Sequence, residues 1–357
     1  MRPKTEAELS DLIRSAGPLV IRGGGTRRIG QSGGAVLETG GLSGVALYEP
    51  GALTLVARAG TAVAEIEALL AGERQRLAFE VPDMRALLGR DGASTIGGVV
   101  ATNASGPRRV QVGACRDALL GVRFVDGTGA VIKNGGRVMK NVTGYDLVKL
   151  MAGSQGSLGV LTEVAFKVQA LPEAAVTLVS QRGLAAGLAV LRAALGSPYD
   201  ISGAGYAQGR AMIRVEGMAG SVAYRAGALE QALGGDWQRV DGADLWQDLR
   251  DVRGFAEVSG AVWRLSVKPS EAARIVGDLG LEAMVDWGGG LVWLSDPLGT
   301  ADVRAAVAGH GHATLVRALP GMTAAAFPPE AAGVAALTSG LRAKFDPRGI
   351  FNPGMMG

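Results

Sequence analysis

Thiols and imidazoles are scarce in this 357-residue chain, which holds one cysteine, Cys115, and two histidines, His310 and His312. A single cysteine excludes an internal disulfide. It also excludes an iron–sulfur cluster held by this chain alone, because such clusters take about four thiolates. This usage is compatible with a reducing compartment, and the expected location is cytoplasmic. Charge is nearly balanced at 36 basic against 33 acidic residues, a net +3, and the arginines are scattered among acids. Nucleic acid is therefore not an expected partner. No run approaches the ~20 apolar residues that span a bilayer. The opening MRPKTEAELSDLI lacks the apolar centre of a signal peptide, so no direct membrane insertion is expected. A hydrophobic content of 48% supplies core for one large or two medium domains.

Glycine is what the chain has in abundance, 56 residues of it, and the pattern carries more than the count. Residues 18–28, PLVIRGGGTRR, read as a short strand entering a glycine loop. Residues 94–106, STIGGVVATNASG, form a second small-residue segment, followed by GRVMKNVTGYDL at 136–147 and GSQGSLGVLT at 153–162. Loops without Cβ atoms let a ligand approach the main chain and leave N–H groups free to point at negative charge. Thr95 is placed to cap a short helix from Ile96, with its N-terminus toward such an anion, and Asn103 and Ser105 add polar side chains nearby. Composition alone would supply some glycine turns, but not two strand-then-anion loops in one domain. A dinucleotide site is the expectation. Arg22 and Arg27 read either as phosphate or partner contacts or as solvated strand-end charges, and Arg28 reads as solvated.

The order RGGGT, then Pro82–Asp83, STIGGVVATNASG, KNVTGYDL, GSQGSLGVLTEV and a closing KFDPRGIFNPG resembles the FAD-binding half of the vanillyl-alcohol-oxidase superfamily, the PCMH-type fold. GPRR at 106–109, VDWGGGLVWL at 285–294 and GHATL at 311–315 narrow the likeness to the FAD-binding E-type subunits of bacterial glycolate oxidase. The resemblance implies FAD, contacted by Arg22, Gly23, Gly24, Gly25, Thr26, Arg27, Pro82, Thr95, Ile96, Gly97, Gly98, Ala101, Thr102, Asn103, Ser105, Gly106, Gly156, Gly159, Val160 and Asn352. Related sequences often carry a flavin-bonding His where Thr26 stands, so the FAD is expected to be non-covalent. Gln155 replaces a more usual Glu. Lys140, Asn141, Tyr145 and Asp146 are implied to lie against the cofactor region. Asp126, within DGTG, reads as a hairpin turn residue.

Beyond residue 173 the texture changes. Strand, helix, two strands and a helix recur twice, which predicts two ferredoxin-like βαββαβ units with helices on one face of an antiparallel sheet. The expected fold class is α+β: a PCMH-type FAD domain of two α/β subdomains over residues 1–172, a cap domain over 173–326, and a segment at 327–357 returning to the first domain. No metal is expected. His310 and His312 are the weak candidates for a general base, set by the HxH spacing on one side of a strand, or else they serve loop polarity. Trp263, Trp287 and Trp293 read as cap core or partner surface.

The resemblance implies a redox subunit of a multi-subunit glycolate oxidase. Its partners would be a larger homologous FAD-containing subunit and an iron–sulfur subunit, with a small 2-hydroxy acid oxidised at the level of the complex. Membrane association would come only through partners. A flavin-binding scaffold and a self-sufficient FAD-dependent 2-hydroxy-acid dehydrogenase stay open as alternatives.

Overall fold

The computed structural model describes residues 1–137 and 144–355; the expected contacts at Lys140 and Asn141 lie outside the described residues. The helix Glu6–Ser15 begins where Thr5 accepts a hydrogen bond from the Glu8 N–H, and it buries Leu9 and Ile13 completely. The chain then forms β1 (Leu19–Arg22) and β2 (Ala35–Glu38), a parallel pair. The far end of the chain bridges to the same pair, Phe351 beside Leu19. A second sheet of six strands holds β3 (Val45–Glu49), β4 (Thr54–Arg58), β5 (Gln75–Leu77), β6 (Leu119–Val125), β7 (Val131–Gly135) and β8 (Val160–Ala170). One face is covered by the helices Val63–Gly72 and Ile96–Ala101, and Leu55, Ile66, Val99, Phe124 and Phe166 fill the space between. Thr61, two residues ahead of the first of these helices, has the side chain of a helix cap. Its hydroxyl instead bonds to both the N–H and the C=O of Gly44, and Ala62 takes the cap position. Asp126 is a turn residue, accepting from the Thr128 and Ala130 N–H groups.

The remaining strands form one antiparallel sheet of eight: β9 (Ala174–Gln181), β10 (Gly203–Ala207), β11 (Arg210–Gly217), β12 (Gln238–Val240), β13 (Ala261–Val267), β14 (Glu282–Asp286), β15 (Leu291–Asp296) and β16 (Gly311–Arg317). Their order is β12-β9-β11-β10-β14-β15-β13-β16. Each half is a ferredoxin-like unit, its second-in-sequence strand meeting that of the other half at β10 and β14. Residues alternate between faces. Trp263, Leu265 and Val267 point into the helix-covered core, while Val262, Trp293 and Val316 belong to a cluster that also takes in Leu87 of the first part of the chain. That second face is how the eight-stranded sheet sits on the first part of the chain.

A buried charge cluster joins the same two parts. From the first half come Arg76, Glu80 and Arg108, and from β11 come Arg214 and Glu216. Arg214 meets Glu80 at 2.8 Å, and Glu216 takes Arg76 at 2.9 Å and Arg108 at 3.4 Å. The Arg108 and Glu216 side chains are 4% and 8% exposed, so neither charge could be left unpaired cheaply. Nearby, burial pushes the Asp286 carboxyl up to about 7, against the hydrogen bond it accepts from the Trp287 N–H.

Two stability outcomes follow from these burials. Glu216→Ala strands two buried guanidiniums and is expected to cost about 3 kcal/mol by chemical denaturation; an unchanged midpoint would remove the cluster from the interface. The folded chain keeps the Asp286 proton to about pH 7, whereas the unfolded chain releases it near 3.8. Stability from this group therefore falls as pH rises across that window. Asp286→Asn is expected to gain on the parent chain as pH is raised from 4 to 8, read as the difference in thermal midpoints.

Candidate cofactor site

The end of β1 runs into Gly23, Gly24 and Gly25, and this loop lies directly against residues 92–95. A Cβ built on Gly24 would stand 1.6 Å from the Ala93 carbonyl oxygen, and one on Gly23 would stand 2.3 Å from the Thr95 hydroxyl. Gly25 has φ +73, a conformation that side chains disfavour. On the opposite wall, a Cβ on Gly97 would meet Ala59 at 2.7 Å, so the helix Ile96–Ala101 packs with its backbone on β4's end. These contacts leave a cleft bounded by the β1 loop, Ala59, the helix, and the turn Ser154–Gly156.

Of the residues expected at a cofactor, the cleft brings together Arg22, Gly23, Gly24, Gly25, Thr26, Arg27, Thr95, Gly97, Gly98, Ala101, Thr102, Gly156 and Gly159. Ile96 and Val160 are fully buried behind its wall. Pro82 stands off the lining and accepts through its carbonyl from Arg27. Asn103, at φ +46, accepts from the Arg116 N–H, and Ser105 accepts from Arg109. Gly106 packs on Glu80. Asn352 accepts from the Ile21 N–H at 2.9 Å and donates to the Gln155 carbonyl at 2.8 Å. It thus staples the β1 end to the Ser154–Gly156 turn, and its role is to position the cleft walls. Tyr145 is exposed, and Asp146 caps the helix Leu147–Met151, so neither is part of the lining.

Several cleft groups were not foreseen from the sequence: Ile21, Thr39, Ala59, Ser154, Leu161 and Met355 line it, and so does Arg28. Burial lowers the Arg28 pKa, with Arg90 and Arg22 adding like charge, and its Nε is buried without a partner. Arg22 is paired with Glu38. Arg27 bridges Pro82 and Ser94, and burial drops its pKa to about 10. Arg28, read from sequence as solvated, is thus a cleft cation with unused hydrogen-bonding capacity, and the Arg27 Nε is likewise buried without a partner.

The anion-facing groups also differ from the sequence expectation. In the first turn of Ile96–Ala101, Ile96 donates to Thr61, Gly97 to Ala59 and Gly98 to the Thr95 hydroxyl. These N–H groups are spent on holding the helix in place. The backbone N–H groups of residues 23–28 donate to no described residue. The main-chain donors open to a pyrophosphate therefore belong to the glycine loop, with Arg28 beside them. This donor set fits a dinucleotide.

The two histidines do not converge. His310 precedes β16 and places Nδ1 3.8 Å from Glu271, whereas His312, within the strand, sits near Arg264, and burial and that charge lower its pKa. The expectation that HxH spacing sets both on one strand face fails because β16 begins at Gly311. Trp263 lies in the helix-covered core and Trp293 in the interface cluster, while Trp287 stacks with Arg109 and Arg264. Among the described residues no group of three His, Cys, Asp or Glu is placed to hold a metal.

Gly24→Ala pushes a methyl into the Ala93 carbonyl. The expected outcome is a chain purified without flavin absorbance, while Gly33→Ala, with open space around its Cβ, retains it. Equal flavin content in the two variants would detach the loop from cofactor binding.

The family model described as an FAD binding domain matches residues 1–135. The Escherichia coli glycolate oxidase subunit GlcE is 37% identical over 353 residues, spanning 98% of this chain and 95% of the relative. The Bacillus subtilis glycolate oxidase subunit GlcD is 32% identical over 186 residues, half of this chain and 38% of GlcD. Among solved structures, alkyldihydroxyacetonephosphate synthase matches with a TM-score of 0.71 at 17% identity, over 99% of this chain and 76% of that one, a likeness of fold. FAD is therefore the cofactor, and the chain belongs to the family of FAD-binding glycolate oxidase subunits that includes GlcE.

Proposed function

We propose that this chain is the FAD-carrying redox subunit of a multi-subunit glycolate oxidase, acting beside a larger homologous FAD-containing subunit in the oxidation of glycolate to glyoxylate. Electrons then pass to an iron–sulfur partner. The observation that carries the reading is the glycine loop at residues 23–28, with its N–H groups unclaimed and no Cβ atoms in the way at Gly23, Gly24 and Gly25. FAD, when bound, accepts and releases electron pairs or single electrons. The chain's own contribution is to bind and orient it. The loop and Arg28 would hold the pyrophosphate, and Arg27 and Asn352 brace the walls. Thr26, 3% exposed and without an imidazole, leaves the FAD non-covalent.

Residues 1–172 and the closing segment 327–357 are read as the flavin domain, and 173–326 as the cap. The complex is assigned to the cytoplasm, with any membrane association arising through partners; no helix among the described residues is long and apolar enough to cross a bilayer. Buried Cys115 alone supplies no cluster, so electrons leave through another polypeptide or a diffusible acceptor. A subunit partner is supported by the helix Ala332–Phe345, which has no buried residue and exposes Val334, Leu337 and Leu341 at helical spacing. Its proposed occupant is the larger flavin subunit.

The purified chain is expected to be yellow and to release all of its FAD into the supernatant on acid denaturation. A colourless chain that takes up no added FAD would turn the account to a scaffold subunit. Leu337→Asp with Leu341→Asp is expected to weaken co-purification with the larger subunit by roughly tenfold or more while flavin content stays unchanged; undiminished assembly would move that interface elsewhere.

A further inference from the structure

The cap sheet carries a second polar feature on the face turned toward the flavin half. On β13, residues of alternate parity to Trp263, Leu265 and Val267 leave that helix-covered core, and they include Arg264 and Ser266. Their register partners on β16 are Thr314 and His312. Arg109 approaches from the flavin half, on the helix Arg109–Val112. Both guanidiniums lie against one indole: the Arg109 Cζ is 4.7 Å and the Arg264 Cζ 5.5 Å from the Trp287 ring centre. Trp287 is held to the flavin half by its Nε1–H, which donates to the Gly106 carbonyl at 3.1 Å.

The charge here is not balanced. Arg76, Arg108 and Arg214, in the same interface, share Glu80 and Glu216. Arg109 has one side-chain hydrogen bond, to the Ser105 hydroxyl at 2.9 Å, and Arg264 has none to a described residue. No carboxylate among the described residues lies within ion-pair distance of either. Arg109 lies close enough to depress Arg264, while the charges acting on Arg109 itself are Arg116 and, more distantly than an ion pair, Asp117; a buried cation beside another is costly unless something negative joins them. Burial, reinforced by Arg109, brings the Arg264 pKa down to about 10, and Arg264 in turn helps keep the His312 imidazole neutral. Guanidinium forks match the planar geometry of a carboxylate, and the nearby Ser266 and Thr314 hydroxyls add neutral hydrogen-bonding capacity.

We propose that Arg109, Arg264 and Trp287 form a binding site for a small carboxylate, carried by this chain itself at the junction of cap and flavin half. The claim concerns binding, and it does not depend on which subunit of the complex performs turnover or on the fate of the electrons.

The test is calorimetric titration of the flavin-loaded chain with sodium acetate at constant ionic strength, set against neutral acetamide and inorganic phosphate. Acetate is expected to saturate at one site while acetamide gives no binding heat. Arg264→Gln and Arg109→Gln are each expected to weaken acetate by roughly tenfold or more, and Arg264→Lys to retain part of the affinity. Flavin absorbance, recorded on every sample, separates loss of this site from loss of the cofactor cleft. Removing an uncompensated cation is also expected to leave the thermal midpoint of Arg264→Gln equal or higher, whereas a purely structural arginine would lower it. Should that variant fail to fold, the acetate and acetamide titrations of the unaltered chain and of Arg109→Gln decide the matter. The proposal is overturned by acetate binding no better than acetamide, by phosphate binding where acetate does not, or by unchanged acetate affinity in the Gln variants.

Discussion

The approach of the β1 loop to the segment at residues 92–95 is the constraint on which the rest of the flavin half depends. The two backbones lie so close that the Gly24 position has no room for a methyl group, and a Cβ on Gly92 would in return stand 2.7 Å from the Gly24 carbonyl. Closing that gap sets one wall of the cleft. The other wall follows from a second close contact, between Gly97 and Ala59, which presses a six-residue helix onto the sheet. A helix this short has little stability of its own, so its tertiary contacts decide its position. Its first N–H groups are committed to Thr61 and Ala59 for that purpose, and anion recognition falls to the glycine loop opposite.

Much of this architecture was legible in the residues because the decisive signals are local. Thr95 caps its helix as its side chain allows, and the repeated strand–helix–strand–strand–helix order resolves into the two ferredoxin-like units of the cap. The glycine loops are recognisable because positive φ and close approach leave few alternatives. Short edge strands were hidden. Gln238–Val240 is exposed along its length and shows no apolar alternation, so only its pairing with β9 defines it. Ala35–Glu38 is defined in the same way by β1.

Side-chain roles within the site were less legible, for a physical reason. Asn352 sits in a motif that points to the flavin, but its amide is consumed by Ile21 and Gln155, residues 331 and 197 positions away. Arg28 looked solvated beside its neighbours, yet the fold turns it into the cleft and leaves its Nε unsatisfied. Whether a charged side chain is a ligand contact or a brace depends on which acid the fold brings to it. That partner is set by contacts distant in sequence.

The same distinction organises the seam between cap and flavin half. Glu216 is shared by cations from both sides, Arg76 and Arg108 from one and Arg214 from the other, while Glu80 takes Arg214, and breaking one member would strand others in surroundings that screen charge poorly. This cluster therefore fixes how the cap sheet lies on the first half. With the sheet so fixed, Arg264 on β13 is carried to Trp287 and Arg109, where the fold supplies no acid. Unpaired cations are maintained at a cost in stability, and the neighbouring cluster shows that the same interface can neutralise arginines where their role is cohesion. The contrast between two arginine groups in one seam thus separates a structural clamp from a place prepared for an anion that arrives from outside the chain.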